Sequence, residues 1–129
     1  ATDWHLMHWG SLLNSGAGLF TIEATAVVPE GRITPACLGL WDDRTEAALA
    51  NTLQRARKLA PPTPVCIQLA HAGRKASSAL PWHGAQLLSR AQGGWETFGP
   101  SALPQLPTEA PPTEMKPFAL AANNRTNLI

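Results

Sequence analysis

The run Val65-Cys66-Ile67-Gln68-Leu69-Ala70-His71-Ala72-Gly73-Arg74-Lys75 decides how the rest of this chain is read. Val65, Ile67 and Leu69 alternate with Cys66, Gln68 and Ala70, so both faces are apolar except for one amide, the pattern of a parallel strand covered by helices on both sides. The strand then stops at a polar cluster, which is how a buried strand delivers chemistry to one edge of a sheet. Gln68 is the anomaly. Leaving the donors and acceptor of a buried carboxamide unpaired costs about 1–3 kcal/mol each. Its partner is either a neighbouring loop backbone or something flat, polar and hydrogen-bonding.

Upstream of that strand the punctuation is clear. Asp43, with Glu46 three residues later, reads as a capping-box-like helix start, and Leu49, Leu53, Ala56 and Ala60 fall on one face. Arg55, Arg57 and Lys58 crowd the last turn, where cations suit the helix dipole, and Pro61-Pro62 stops the helix. Earlier still, a strand from Leu19 ends near Ala26, and the loop from Pro29 to Pro35 carries Glu30 and Arg32. Strand, helix and strand in this order make a βαβ unit with a right-handed crossover. Ahead of it, Asp3 is expected to cap a helix over about 4–15, with Leu6, Trp9 and Leu13 facing inward and Gly16 ending it.

Five motifs follow one another: Asp3-Trp4-His5, Glu23-Ala24-Thr25-Ala26-Val27, Pro29-Glu30-Gly31-Arg32-Ile33-Thr34-Pro35, Leu38-Gly39-Leu40-Trp41-Asp42-Asp43, and Ile67-Gln68-Leu69-Ala70-His71-Ala72-Gly73-Arg74-Lys75-Ala76-Ser77. In this order the chain resembles the old yellow enzyme family of flavin-dependent ene-reductases, and within it the xenobiotic-reductase-like branch. The resemblance implies an α/β fold, a portion of a (β/α)8 TIM barrel. Such barrels run to about 250 residues, and this chain has 129. It is therefore expected to cover the region of about the first three strands, with the first strand missing. Residues 1–115 read as a partial flavin-binding barrel domain, and 116–129 as a tail that does not match the family.

The resemblance also implies the chemistry. FMN would be the cofactor and NAD(P)H the reductant, in a ping-pong reduction of activated C=C bonds in α,β-unsaturated carbonyl or nitro compounds. Two residues carry over as cofactor-binding: Ala24, at a position whose backbone meets the isoalloxazine ring, and Gln68, matching the glutamine that bonds its pyrimidine edge. Both stand at C-terminal strand ends, where barrel enzymes build their sites. No catalytic residue is assigned. The family's proline-methionine-cysteine segment and its substrate-gripping histidine strand are not recognised here, and its tyrosine proton donor has no counterpart in a chain without Tyr. The chain alone is thus expected to be inactive, with a non-catalytic remnant that binds flavin weakly or not at all as the alternative. His71 and Arg74 are expected to anchor their loop by hydrogen bonds, and Lys75 is left without a role.

Composition excludes other classes. The chain is 44% hydrophobic and 15% charged, with a formal net charge of +1, too little positive charge for nucleic-acid binding. No stretch approaches about 18 uninterrupted apolar residues, and the N-terminus lacks signal-peptide regions. A cytoplasmic parent with a small-molecule substrate, no membrane partner and a homo-oligomeric state is the expectation. Cys37 and Cys66 fit neither a disulfide framework nor a zinc pattern, so both are expected as reduced thiols, Cys66 packed in its strand and Cys37 in a loop. His5 and His8 lie one turn apart without a third ligand, a weak metal site, and no metal is assigned. From Ser77 onward Pro81, Pro100, Pro104, Pro107, Pro111, Pro112 and Pro117, with Gly84, Gly93, Gly94 and Gly99, leave little room for regular structure. Such an excursion after a barrel strand suits a pocket wall or a subunit contact. The alternative is a flexible segment, against which Trp82, Trp95 and Phe98 argue for packing.

Overall fold

A computed structural model describes residues 1–116. The part of the tail at 117–129 that departs from the family pattern lies outside the described residues. Helix α1 spans Asp3–Leu13, strand β1 Phe20–Ala26, helix α2 Asp43–Arg57 and strand β2 Val65–Ala70. β1 and β2 pair in parallel, with Phe20 opposite Val65 and Ile22 opposite Ile67. The β1-α2-β2 unit read from the sequence is therefore present.

Both helices pack on one face of this two-stranded sheet. Trp9, Leu13, Phe20, Ile22, Leu38 and Ala56 form the buried core, with Leu6, Leu49, Leu53, Ala60, Val65 and Ile67 against it. Val65 and Ile67 reach this core because they share a face of β2. Cys66 and Gln68 fall on the other face and are exposed. This corrects the expectation of a strand covered on both sides, and of Cys66 as a packing residue. Among the described residues β2 pairs only with β1, and the exposure of Cys66 and Gln68 shows its second face to be open. There the Thr21 hydroxyl stands 3.0 Å from the Cys66 Sγ.

The helix starts are each displaced by one residue from the sequence reading. Thr2, not Asp3, has the extended backbone of an N-cap (φ −133°, ψ 178°), and its amide donates to Nδ1 of His5 at 3.1 Å. Asp42, not Asp43, caps α2. Its carboxylate accepts from the Thr45 amide at 2.7 Å, and the Thr45 hydroxyl stands 3.0 Å from the Asp42 amide. That amide bond holds the Asp42 carboxyl below the usual carboxylate range. α1 ends at Leu13, and Gly16, at φ +81°, takes the left-handed turn into the next segment.

Beyond β2 the chain runs through one-turn 3-10 segments at Gly73–Lys75, Pro81–His83 and Arg90–Gln92, and two short parallel strands, β3 (Phe98–Gly99) and β4 (Thr113–Glu114). The sparse regular structure follows the prolines and glycines. Trp95 is packed, but Trp82 is 75% exposed, contrary to its expected role in holding the excursion.

Candidate functional site

At the C-terminal ends of β1 and β2 the ladder is irregular. Ile22 faces Ile67 and Thr25 faces Leu69, so two residues of β1, Glu23 and Ala24, stand opposite the single residue Gln68. This is a β-bulge, which bends a strand and leaves an extra residue out of the ladder. The two residues carried over from the sequence as cofactor-binding, Ala24 and Gln68, are thereby brought side by side. Gln68 is exposed rather than buried, and among the described residues its side chain has no hydrogen-bond partner. The physical reason is the one that exposes Cys66: the residue points away from the helices, on an uncovered face.

The bulge also redirects Glu23. Strict alternation after Ile22 would send the next side chain away from the helices, yet Glu23 reaches α1. Its Oε2 accepts from the Trp9 indole Nε1 at 3.0 Å, and its Oε1 lies 3.5 Å from Nε2 of His5. Nδ1 of His5 accepts the Thr2 amide hydrogen, so the neutral ring carries its proton on Nε2, facing the carboxylate. Burial lowers the pKa of His5 below its ordinary value of 6.5. The Glu23 carboxylate opposes this, and the N-terminal amine and His8 add to it. His8 instead stacks on Trp4, with ring centroids 4.6 Å apart. Among the described residues no three His, Cys, Asp or Glu side chains gather as a metal would need.

The loops leaving the two strands are tied together above the bulge. The Ala72 amide donates to the Gly31 carbonyl at 2.8 Å and the Ser78 amide to the Ile33 carbonyl at 2.8 Å. The His71 ring lies so close to Gly31 that a Cβ there would sit 3.0 Å from it. Nδ1 of His71 accepts from the Gly73 amide at 3.0 Å, and the Arg74 guanidinium donates to Ser101 Oγ at 3.1 Å. Both residues thus hold loops in place. The excursion returns to the same edge through Trp95, whose indole donates to the Glu30 carbonyl at 3.0 Å. The Arg32 guanidinium carbon sits 4.6 Å from the Trp95 ring centre and 5.6 Å from that of Trp41, a cation–π contact on two sides.

Cys37 and Cys66 are both free thiols. Cys37 Sγ accepts from the Thr34 amide at 3.3 Å within its turn. A cavity of about 600 Å³ lies elsewhere, within the excursion, between Leu87, Trp95, Glu96, Leu106 and Glu109. It does not include Ala24 or Gln68, and the strand-end bulge rather than this opening is the candidate site. Two residues that matter here, Trp9 and Glu23, were given no polar role from the sequence. The available signals were a carboxylate interrupting an otherwise uncharged strand and an indole one turn beyond His5.

No family model matches this chain. It is 43% identical over 108 residues to an NADH:flavin oxidoreductase of Gibberella zeae, a match covering 81% of this chain and 26% of that protein. Its fold superposes on morphinone reductase with a TM-score of 0.68 at 19% identity, covering 96% of this chain and 33% of that one. A structure of morphinone reductase in complex with tetrahydroNAD gives the same TM-score, 0.68, at 20% identity. The chain spans about a quarter of the length of the curated relative and a third of the solved ones. Sequence and fold together make this chain similar to part of an NADH:flavin oxidoreductase, with the fold of a portion of a TIM barrel, in line with the old yellow enzyme resemblance of its motifs.

Proposed function

We propose that these residues form part of an FMN-dependent oxidoreductase that uses NAD(P)H to reduce activated C=C bonds in α,β-unsaturated carbonyl or nitro compounds. One observation carries the reading: Ala24 and Gln68 stand opposite each other at a bulge on the C-terminal ends of adjacent parallel strands. The donor set suits a flavin. Gln68 offers two N–H donors and a carbonyl acceptor on an open face, complementary to the carbonyl and imide groups of a flavin's pyrimidine edge. Ala24 has only a methyl group, so a flat ring can approach its backbone. FMN, when bound, would supply the hydride chemistry. Gln68 would orient its pyrimidine edge and, by donating to it, favour negative charge there.

The free thiols suit a reducing compartment, and the cytoplasm is the proposed location. No helix of the described residues is long and apolar enough to cross a membrane. A small-molecule substrate, no nucleic-acid or membrane partner, and self-association of the parent belong to the same proposal. One observation favours a second reading, a non-catalytic chain that holds flavin weakly or not at all: the Cys66 and Gln68 face of β2 is uncovered.

Titration of the full chain with FMN, followed by flavin fluorescence and the visible spectrum, separates the two. Saturable quenching with a band shift, weakened about five- to a hundredfold in Gln68→Leu, is the expected result, the range for one or two lost hydrogen bonds. Unsaturable binding, or binding indifferent to Gln68→Leu, would overturn the assignment.

A further inference from the structure

We infer that Trp9 and His5 of α1 are positioning residues, which act through Glu23 to hold the β1 bulge and so place Ala24 against Gln68. The inference rests on the flavin reading for its functional meaning, and on geometry for its existence. Two side chains of α1 converge on one carboxylate of β1. The Thr2 amide fixes Nδ1 of His5, His5 turns Nε2 toward Glu23 Oε1 at 3.5 Å, and the fully buried Trp9 donates to Glu23 Oε2 at 3.0 Å. Trp9 is also the largest fully buried side chain of the core, so its indole N–H is a fixed point rather than a mobile arm.

A bulge has alternatives. Regular pairing would give every β1 residue one partner on β2 and slide Glu23 to the open face, shifting the register beyond it by one residue. The bond to Trp9 is available only when Glu23 lies on the helix side, so the bulged arrangement alone satisfies the buried indole N–H. A second brace comes from β1 itself, where the fully buried Thr25 donates its hydroxyl to the Glu23 carbonyl at 2.8 Å. Ala24 is the residue between these two anchored points, and its backbone is what the proposed ring would meet.

Three variants of the full chain test this: Trp9→Phe, which keeps an aromatic ring and removes the donor, Glu23→Ala, and Glu23→Gln, which keeps an acceptor for Trp9. Amide hydrogen exchange is read at residues 22–25 and 68 and compared with residues 49–56 of α2, together with FMN affinity and the flavin spectrum. Trp9→Phe and Glu23→Ala are expected to speed exchange at the bulge about two- to tenfold more than in α2, and to weaken FMN binding by a similar factor with an altered spectrum. Glu23→Gln is expected to restore most of both. Uniform acceleration across the bulge and α2 would overturn the inference, because it is what loss of core packing alone produces. So would unchanged exchange at the bulge, or local exchange that Glu23→Gln fails to rescue. If the unaltered chain binds no FMN, the flavin reading fails while the exchange comparison still decides the lock.

Discussion

Alanine at Gly94 is expected to destabilise the protein more than alanine at its neighbour Gly93, although only Gly93 has a left-handed backbone. At Gly93 φ is +85° and an added Cβ meets nothing within 4 Å. The penalty is then the left-handed strain alone, about 1–2 kcal/mol, offset by about 0.4–1 kcal/mol from the stiffer unfolded chain. At Gly94 the added Cβ would sit 2.3 Å from the Leu88 carbonyl oxygen and 2.9 Å from Ser77 Oγ, where real contacts do not fall below 3.0 Å. Neither neighbour yields cheaply. The Leu88 amide donates to the Ser77 carbonyl at 2.7 Å, Ser77 Oγ accepts from the Trp95 amide at 2.9 Å, and the Gly94 amide itself donates to Ser89 at 2.9 Å. Ser77 is fully buried and already left-handed, at φ 59°. Opening two or three of these bonds costs about 1–4.5 kcal/mol at about 0.5–1.5 kcal/mol each. Urea unfolding followed by tryptophan fluorescence measures both variants, and Gly93→Asn, tolerant of the left-handed region, should be milder than Gly93→Ala. A Gly94→Ala penalty equal to or below that of Gly93→Ala would refute the close-packed clasp of the excursion and the reasoning built on it.

Two further outcomes are expected. Leu13→Ala empties a site that is 1% exposed within the core and should destabilise by about 2–5 kcal/mol, whereas Leu12→Ala, 38% exposed, should change stability by less than about 1 kcal/mol; similar urea midpoints for the two would place the core wrongly. His5 has its pKa lowered in the folded state from 6.5, chiefly by burial, so both states are neutral well above pH 6.5 and His5 contributes no slope there. As pH falls below 6.5 the unfolded chain takes up the proton first, stability declines until the folded-state pKa is passed, and then levels off. The urea midpoint of His5→Asn should lack this component, and a wild-type-minus-variant difference that is flat or rises on acidification would contradict it.

Local chemistry made much of this protein readable. The apolar spacing of Leu49, Leu53, Ala56 and Ala60 announced α2 and its buried face, Pro61-Pro62 its end, and the alternation in 65–70 a strand, because each depends only on residues within a few positions of one another. The capping residues were each read one position late, since Thr2 and Asp42 were passed over for the acidic residues beside them, and which residue turns extended is settled by the backbone path. The ordered motifs carried the family and brought Ala24 and Gln68 forward as candidates. Alternation alone did not say which face of β2 would be covered: that depends on what lies alongside the strand, and among the described residues its second face has nothing over it. The bulge is likewise a property of pairing between segments far apart in sequence, so no periodicity within β1 could announce that Glu23 would turn back to Trp9. The amino-acid sequence determined which segments become helix and strand and which family they resemble; only the tertiary structure decided that Ala24 would face Gln68, because register is set by the packing of α1 and β2 against β1 and not by β1 itself.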